Sequence, residues 1–310
     1  MKTALITHAD CLDHVTPDGH PERVARLEHV LHALEGLDVQ RVGAPLAAED
    51  DVLRLHPADY LAHVRRSAPE AGQFPLDADT FLSPGSLTAA YRAAGGVLRA
   101  VDMVLGGEAP NAFAAVRPPG HHAEADVPMG FCILGNVALA AKYALDHHGL
   151  NRVAVVDFDV HHGNGTQALL WDEPRALVVT SQQMPLWPGS GRPDETGAHD
   201  TVLNIPLAPR SDGRAMRTAY TEQVFPRLRA FAPELILISA GFDAHADDPL
   251  AELNWQTGDF AWVTAEICAV AREICDGRVV SALEGGYDLA ALAASAKAHV
   301  EELMKAAKDD

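Results

Sequence analysis

Residues 153–167 read Val-Ala-Val-Val-Asp-Phe-Asp-Val-His-His-Gly-Asn-Gly-Thr-Gln, and this stretch decides the fold. Its first four residues are apolar without an intervening polar side chain, which is typical of a central parallel strand buried on both faces. Polar residues follow abruptly, and Gly163 and Gly165 on either side of Asn164 predict a turn, after which Thr166 can open a helix. The polar cluster is therefore expected at the carboxyl end of a strand, where open α/β sheets build their sites.

The polar part of this stretch has the composition of a metal site. Side chains alternate along extended backbone, so Asp157, Asp159 and His161 are expected on one side, roughly 6–7 Å between successive members. An Asp-x-His pair offers one oxygen and one nitrogen to a divalent ion, which suits zinc, with iron and manganese as alternatives. These residues could instead cap a turn, but two aspartates and two histidines packed closely after a buried strand favour a functional site.

Length and composition limit the fold class. A chain of 310 residues with 48% hydrophobic residues can bury a large core, in one α/β domain or in two smaller ones. Helical and strand patterns alternate without a linker, so we predict a single domain over residues 1–310, with a mostly parallel central sheet flanked by helices. The net charge of −19 argues against nucleic-acid binding and is compatible with cationic substrates or simply with solubility.

The sequence carries no signal for a membrane or an oxidising compartment. The apolar run in residues 1–8 is too short for a signal peptide, and no stretch approaches the length of a membrane span. Four cysteines are scattered rather than paired in a metal-binding or disulfide pattern, namely Cys11, Cys132, Cys268 and Cys275. We therefore expect a soluble protein of the reducing cytoplasm, with no membrane partner.

Hydrophobic periodicity predicts the remaining elements. Helical spacing indicates helices at 22–34, 86–105, 136–147, 213–231, 255–275 and 289–307, and at 51–64 with an interruption near Pro57. Strands are predicted at 4–7, 111–116, 177–180, 202–205 and 235–239 and from residue 279 onward. The segment 69–84 has the composition of a surface loop.

A second polar cluster, Arg117-Pro118-Pro119-Gly120-His121-His122, follows the strand predicted at 111–116. Two prolines and a glycine make a rigid loop that carries the two histidines. Adjacent side chains diverge, so His121 and His122 are not expected to bind one metal ion together and instead suit proton transfer. A pair of surface histidines is the alternative for this segment alone.

Later strand ends add further groups. The apolar run 235–239 is followed by Ala-Gly-Phe-Asp, so Asp243 can supply a third metal ligand and leave coordination positions open, as a catalytic site requires. The run from residue 279 ends in Glu-Gly-Gly-Tyr, and the glycines let Tyr287 approach a site closely, although a lone tyrosine is more often structural. Trp187, in a loop rich in proline and glycine, can wall a pocket or serve local packing.

Taken together, these stretches resemble the histone deacetylase family within the arginase-deacetylase fold, over nearly the whole chain. The motifs occur in family order: Arg-Pro-Pro-Gly-His-His-Ala at 117–123, Gly-Phe-Cys at 130–132, Asp-Phe-Asp-Val-His-His-Gly-Asn-Gly-Thr-Gln at 157–167, Gly-Phe-Asp at 241–243 and Glu-Gly-Gly-Tyr at 284–287. The loop Gly-His-Pro-Glu-Arg at 19–23 is similar to the bacterial and class II branch.

The resemblance implies a Zn²⁺ ion bound by Asp159, His161 and Asp243. It also implies that His122 acts as general base and then as general acid, with Asn164 orienting its imidazole. The family further has a structural potassium ion, which here would use backbone oxygens of Asp157, Asp159 and His161 with help from Thr180 and Ser181.

Other roles follow from the same resemblance. His121 would pair with Asp157 as an electrostatic partner, and Tyr287 would donate a hydrogen bond to the oxyanion. Residues that match the acyl-lysine tunnel are Gly130, Phe131 and Trp187, with Leu250 at its rim, and Arg26 matches the arginine of the inner acetate-release channel. Two positions depart from the family pattern: Gln182 stands where many relatives have His, and Trp187 stands where Phe or Tyr is usual.

These features predict a zinc-dependent amidohydrolase that removes an acyl group from an amine, with acetyl-lysine in proteins or a small lysine-like molecule as substrate. An acetylpolyamine deacetylase is the alternative: Leu250 argues against it, and the acidic net charge favours it. A binuclear manganese hydrolase of the arginase type would need acidic ligands where His121 and His122 stand. Tyr287 beside a full ligand set argues against a non-enzymatic acyl-lysine binder. Fe²⁺ could replace zinc in the same ligand set, and a homo-oligomer stays open.

Overall fold

Eight parallel strands form one sheet in the computed structural model, which describes residues 1–308. Their order across the sheet is β2-β1-β5-β10-β9-β6-β7-β8. The strands are β1 (Ala4–Thr7), β2 (Gln40–Gly43), β5 (Asn111–Ala114), β6 (Val153–Asp157), β7 (Ala176–Gln183), β8 (Val202–Leu207), β9 (Leu235–Ala240) and β10 (Val279–Leu283). A separate antiparallel hairpin is formed by β3 (Phe74–Pro75) and β4 (Phe81–Leu82). Because every pairing in the large sheet is parallel, all its strands end at the same edge.

The four central strands β5, β10, β9 and β6 consist of buried residues throughout. In the β6–β9 register Asp157 lies opposite Ser239, and in the β6–β7 register it lies opposite Thr180. The ends of these strands are therefore level, and the loops that follow them start from one line. This alignment explains how residues more than eighty positions apart in sequence meet at one site.

Ten α-helices accompany the sheet in the described residues, and they fall into packed groups: α10 contacts both α1 and α9, and α4 contacts α5. They are α1 (Val24–Ala33), α2 (Glu49–Val52), α3 (Ala58–Ser67), α4 (Ser86–Leu105), α5 (Asn136–Asp146), α6 (Asn164–Leu170), α7 (Gly213–Ala219), α8 (Phe225–Phe231), α9 (Thr257–Cys275) and α10 (Leu289–Ala306). Local signals fix several ends: Gln256 and Asp259 form a capping box at the start of α9, and the Asp288 side chain caps α10.

The predicted α/β fold with a parallel central sheet flanked by helices is confirmed. Strand β2 was not predicted, because it is an exposed edge strand whose residues carry no apolar alternation. The surface loop predicted at 69–84 is wrong in part: this segment contains the β3–β4 hairpin, and Thr80, Leu82 and Ser83 are buried. The helix predicted at 213–231 is divided into α7 and α8 by a π-helical turn, Tyr220–Val224.

Residues 1–308 contain no helix that is both long enough and apolar enough to cross a membrane.

Candidate active site

Asp159, His161 and Asp243 form a compact group just beyond the ends of β6 and β9. One ligand atom from each lies within 4.8 Å of the others. The Nδ1 atom of His161 is 3.2 Å from Oδ1 of Asp159 and 3.1 Å from Oδ2 of Asp243. Two carboxylate oxygens and one imidazole nitrogen that converge in this way fit a divalent metal ion and leave its remaining positions open.

Backbone amides hold the two carboxylates in place. The amide of Gly285 donates to Oδ2 of Asp159, and the amide of Val160 donates to Oδ1 of Asp243, both at 2.9 Å. At Gly285 an added Cβ would lie 2.2 Å from Oδ2 of Asp243, so only glycine permits this approach. The glycines that the sequence places after β9 and β10 thus make room for this Asp-His-Asp group.

The site is rich in negative charge. Asp157 and Glu284 are also buried beside Asp159 and Asp243, and within residues 1–308 no Lys or Arg side chain forms a salt bridge with any of these four carboxylates. Burial, together with the charge of Asp159, raises the pKa of Asp243 to about 7. Burial acts to lower the pKa of His161, but hydrogen bonds to Asp159 and Asp243 outweigh it and raise that pKa to about 10. The cluster therefore favours a cation of any kind.

His121 and His122 lie in the loop after β5, with ring centroids 3.9 Å apart and planes at 43°. Their side chains do not diverge as the sequence led us to expect, because the loop is bent here. Nδ1 of His121 is 3.0 Å from Oδ2 of Asp157, the partner that the resemblance implies. Burial lowers the pKa of His121, but the charges of Asp159 and Asp157 outweigh it and hold this pKa well above its usual value. His121 is therefore the protonated member of the pair.

His122 has the opposite character. Its Nδ1 lies 2.8 Å from Oδ1 of Asn164, whose amide nitrogen in turn donates to Oε1 of Glu124 at 2.9 Å. Since the amide oxygen only accepts, Nδ1 of His122 carries the proton and Nε2 is left with its lone pair. Burial, and then the charges of His121 and His161, lower the pKa of His122 well below its usual value. A neutral imidazole with a free nitrogen is the state that a general base requires.

Glu284 supports this loop from below. Its Oε2 accepts hydrogen bonds from the amide of Gly120 at 2.7 Å and from the amide of His121 at 3.2 Å. Glu284 was predicted only as part of the Glu-Gly-Gly-Tyr motif, without a role of its own. The contact joins the end of β10 to the loop that carries both histidines.

A narrow pocket of about 180 Å³ leads to these groups. It is lined by His122, Gly130, Phe131, His161, Trp187, Leu250 and Tyr287, and by two residues that the sequence did not indicate, Asp79 and Leu186. All four predicted tunnel residues are thus in the wall. Gly130 has a φ of +56°, and an added Cβ would lie 2.4 Å from the His122 ring, which explains why glycine is needed.

Tyr287 forms one side of the pocket and packs its ring against that of Phe131, with centroids 5.8 Å apart. Burial, and then the charge of Asp243, raise the pKa of Tyr287 well above its usual value. Its hydroxyl therefore keeps its proton and can donate a hydrogen bond. The Arg26 guanidinium lies 5.0 Å from the ring centroid and donates to the backbone oxygen of Gly286 at 2.6 Å.

This fold and this pocket define a class of hydrolases, in which a buried Asp-His-Asp group and a neutral histidine meet at the carboxyl edge of a parallel sheet. The model of the histone deacetylase domain matches residues 20–303, and the chain belongs to this family. The resemblance drawn from the motifs is confirmed, and the protein is a hydrolase of the deacetylase and amidohydrolase type.

Individual relatives agree with this assignment. A histone deacetylase-like amidohydrolase of Pseudomonas aeruginosa is 40% identical over 293 residues, covering 91% of this chain and 76% of the relative. A probable deacetylase of Archaeoglobus fulgidus is 37% identical over 298 residues, covering 93% and 82%. The crystal structure of the HDA15 HD domain is similar with a TM-score of 0.91 at 30% identity, covering 97% of this chain and 90% of the other.

Proposed function

We propose that this protein is a zinc-dependent deacetylase that hydrolyses the side-chain amide of acetyl-lysine, in proteins or in small lysine-like molecules. The observation that carries the proposal is the meeting of the metal-binding group with a neutral His122 at a pocket walled by Phe131 and Trp187. Zinc fits a donor set of two carboxylates and one imidazole, and Fe²⁺ is the second choice. A divalent ion held there would supply a Lewis acid that polarises the amide carbonyl and makes water more acidic.

The two histidines divide the proton chemistry. His122 accepts the proton of the attacking water on Nε2, since Nδ1 is held by Asn164. It then returns a proton to the amine, which is otherwise a poor leaving group. His121, protonated beside Asp157, supplies positive charge next to the reacting centre and keeps His122 in its neutral form before reaction.

Tyr287 completes the set by donating its hydroxyl hydrogen to the oxygen on which negative charge develops. Its raised pKa supports this role, because the hydroxyl is protonated at neutral pH. Such a donor lowers the barrier without taking part in proton transfer.

The walls of the pocket fit a flat amide at the end of an aliphatic chain. Phe131, Trp187 and Leu250 offer apolar contact to methylene groups. Asp79 gives the acetylpolyamine alternative its own support, because its carboxyl lies in the same lining and can attract a cationic amine. Leu250 favours acetyl-lysine, since an apolar rim offers no partner to a second ammonium group.

Several finer predictions stay predictions. They are the structural potassium ion, the location in the cytoplasm, the bacterial branch, the absence of nucleic-acid and membrane partners, and self-association of the chain. The acidic net charge of −19 supports the absence of a nucleic-acid partner.

A side-by-side measurement of kcat/KM, at neutral pH with zinc, for an acetyl-lysine peptide and for N-acetylputrescine tests the proposal. A preference of tenfold or more, about 1.4 kcal/mol of differential transition-state binding, decides the substrate class. We expect the peptide to be preferred. Preference for the polyamine would identify the acetylpolyamine deacetylase instead. Absence of hydrolysis of both substrates would contradict the proposed function.

A further inference from the structure

Asp248 lies in the loop between the metal-binding Asp243 and the pocket residue Leu250, and its side chain is buried, with only 6% exposed. Within residues 1–308 it has no Lys or Arg partner. Instead its two oxygens accept hydrogen bonds from backbone amides alone. Burial of a carboxylate costs desolvation free energy, and here the hydrogen bonds from backbone amides must compensate that cost.

Those amides belong to the two sides of the pocket. Oδ1 of Asp248 accepts from the amide of Leu250 at 3.0 Å, and Oδ2 accepts from the amide of Tyr287 at 2.7 Å. Oδ2 is also 3.4 Å from the amide of Asp288, the residue that caps α10. One carboxylate thus ties the rim of the pocket to the backbone of the tyrosine that faces the reacting amide.

The backbone before Tyr287 explains why such a tie is needed. Tyr287 follows Gly285 and Gly286, and Gly286 has a φ of +116°, a conformation that L side chains rarely adopt. Two consecutive glycines leave the chain with wide conformational freedom, so they do not by themselves fix where the tyrosine begins. The bond from its amide to Asp248 removes that freedom at the first residue after the glycines.

We propose that Asp248 is a positioning residue, which fixes Tyr287 as oxyanion donor and Leu250 as rim residue through one pair of carboxylate oxygens. The inference rests on the proposed deacetylase function for its kinetic consequences. Its structural part, protection of the Tyr287 amide by Asp248, does not depend on that function. Among the described residues Asp248 forms no hydrogen bond with Asp159, His161 or Asp243, and its carboxylate accepts only from the amides of Leu250, Tyr287 and Asp288.

The kinetic test is a double-mutant cycle of Asp248→Asn and Tyr287→Phe on the zinc-loaded protein. The amide group of asparagine has one accepting oxygen and no charge, so in either orientation the Tyr287 amide loses its hydrogen bond or keeps a weaker one without charge assistance. A misplacement of about 1 Å can cost up to a hundredfold, and we expect kcat to fall about tenfold or more in the wild-type background. In the Tyr287→Phe background the same change should cost less than about threefold, since the hydroxyl is already absent. Equal losses in both backgrounds would overturn the inference.

Asp247→Asn is the matched control, because Asp247 is the exposed neighbour of Asp248 and undergoes the same chemical change. It should leave kcat and KM within about twofold. Zinc content is measured for every variant, and a loss of bound zinc in Asp248→Asn would overturn the inference by locating the effect at the metal site. Should Asp248→Asn not fold, Asp248→Ser, which keeps one hydroxyl acceptor, is measured in its place.

Hydrogen exchange of the backbone amides tests the structural part without any activity. The Tyr287 amide should exchange at least about tenfold faster in Asp248→Asn than in the wild type, and at the wild-type rate in Asp247→Asn. Unchanged exchange in Asp248→Asn would overturn the inference. If the wild-type protein hydrolyses no acetyl-lysine peptide, the proposed function fails, and the exchange result still decides whether Asp248 holds Tyr287.

Discussion

Two groups of charged side chains are buried in this protein, and they compensate the cost of burial in different ways. The arginine cluster, Glu22, Arg26, Arg117 and His14, lies behind Tyr287. Oε1 of Glu22 accepts from Arg26 at 3.0 Å and Oε2 accepts from Arg117 at 2.7 Å. Burial acts to raise the pKa of Glu22, but Arg117 and His14 outweigh it and hold this pKa well below its usual value. Each charged group in this cluster therefore has a partner of opposite charge, and both arginines share Glu22.

The second group, the site cluster, consists of Asp157, Asp159, His161 and Asp243, and its negative charges are not balanced. It contains three carboxylates, and its positive partners are the imidazoles of His161 and His121. Burial and like charge raise the pKa of Asp243 to about 7, the mark of a carboxylate without enough positive charge nearby. The difference teaches that the charges of the arginine cluster are paired within the fold, whereas the excess negative charge of the site cluster suits it to a cation.

Asp243→Asn should produce the largest effect on activity. Loss of one charged ligand from a three-ligand site removes tight metal binding, and we expect kcat/KM to fall at least about a thousandfold, or ~4 kcal/mol. Metal content after dialysis and kcat/KM on an acetyl-lysine peptide measure this. Asp247→Asn, at an exposed position, is the control. Retention of both metal and activity would show that the site cluster is not the metal site.

The same variant should have the opposite effect on stability when metal is absent. The pKa of Asp243 is raised in the folded state, so ionisation of this carboxyl destabilises the metal-free fold progressively above pH ~4 and fully above pH ~7. Metal-free Asp243→Asn should therefore be more stable than the metal-free wild type at pH 8, as measured by chemical denaturation. A less stable variant would mean that the charges of the site cluster, like those of the arginine cluster, are paired within the fold.

Glu22→Gln tests the arginine cluster and should give the next largest effect. Two buried guanidinium groups would lose their counter-charge, so we expect a loss of about 3 kcal/mol in the free energy of unfolding, or roughly 4–6 °C in Tm. Because the pKa of Glu22 is lowered in the fold, its contribution is present above pH ~4.5 and is lost as the pH falls through the folded-state pKa. The difference between variant and wild type should therefore shrink in acid.

Glu28→Gln is the matched control for this change, since Glu28 is exposed on α1, the helix that begins just after Glu22 and carries Arg26. Its effect on the free energy of unfolding should stay within about 0.5 kcal/mol. If Glu22→Gln were as mild as Glu28→Gln, the arginine cluster would not be the charge-paired structural unit described above.

Tyr287 lies between the two clusters, because its ring packs on Arg26 while its hydroxyl lies at the pocket, and Tyr287→Phe tests the second contact alone. Only the hydroxyl is lost, so the packing on Arg26 and the metal content should remain. We expect kcat to fall at least about a hundredfold, or ~2.7 kcal/mol, as for loss of an oxyanion donor. Thermal unfolding and zinc content show whether the fold and the metal site are intact. Full activity would contradict the proposed role of Tyr287.

The sequence made much of the fold and of the site cluster predictable, for local reasons. Strands β6, β9 and β10 are runs of mostly apolar residues, so their composition predicts burial. Glycine and polar residues follow each of them. Since parallel strands end at one edge, Asp159, His161 and Asp243 could be expected together without knowledge of any contact. The motif order then supplied their roles.

The arginine cluster could not be predicted, because it depends on distant contacts. Glu22 and Arg117 are 95 residues apart, and although Arg117 follows the strand predicted at 111–116, Glu22 lies in a loop without a repeating pattern. Asp79 was missed for a similar reason: it belongs to a segment without periodicity, and only the β3–β4 hairpin carries it to the pocket. Strand β2 was also not predicted, nor was the close approach of the His121 and His122 rings. Both follow from tertiary packing.

The smallest expected effect concerns the pH profile. It sharpens the comparison because burial lowers the pKa of one histidine at each place: His14 in the arginine cluster, and His122 beside the site cluster. An ordinary histidine with a pKa of about 6.5 would lose roughly fourfold of its neutral form between pH 7.5 and pH 6. The pKa of His122 is well below that, so kcat/KM of the zinc-loaded wild type should change less than about twofold over this range. The charge of His121 is one cause of this low pKa, and His121→Asn should therefore raise the pKa of His122 and bring back a fall toward pH 6. If both proteins gave the same profile, His121 would not be the charged neighbour that keeps His122 ready to accept a proton.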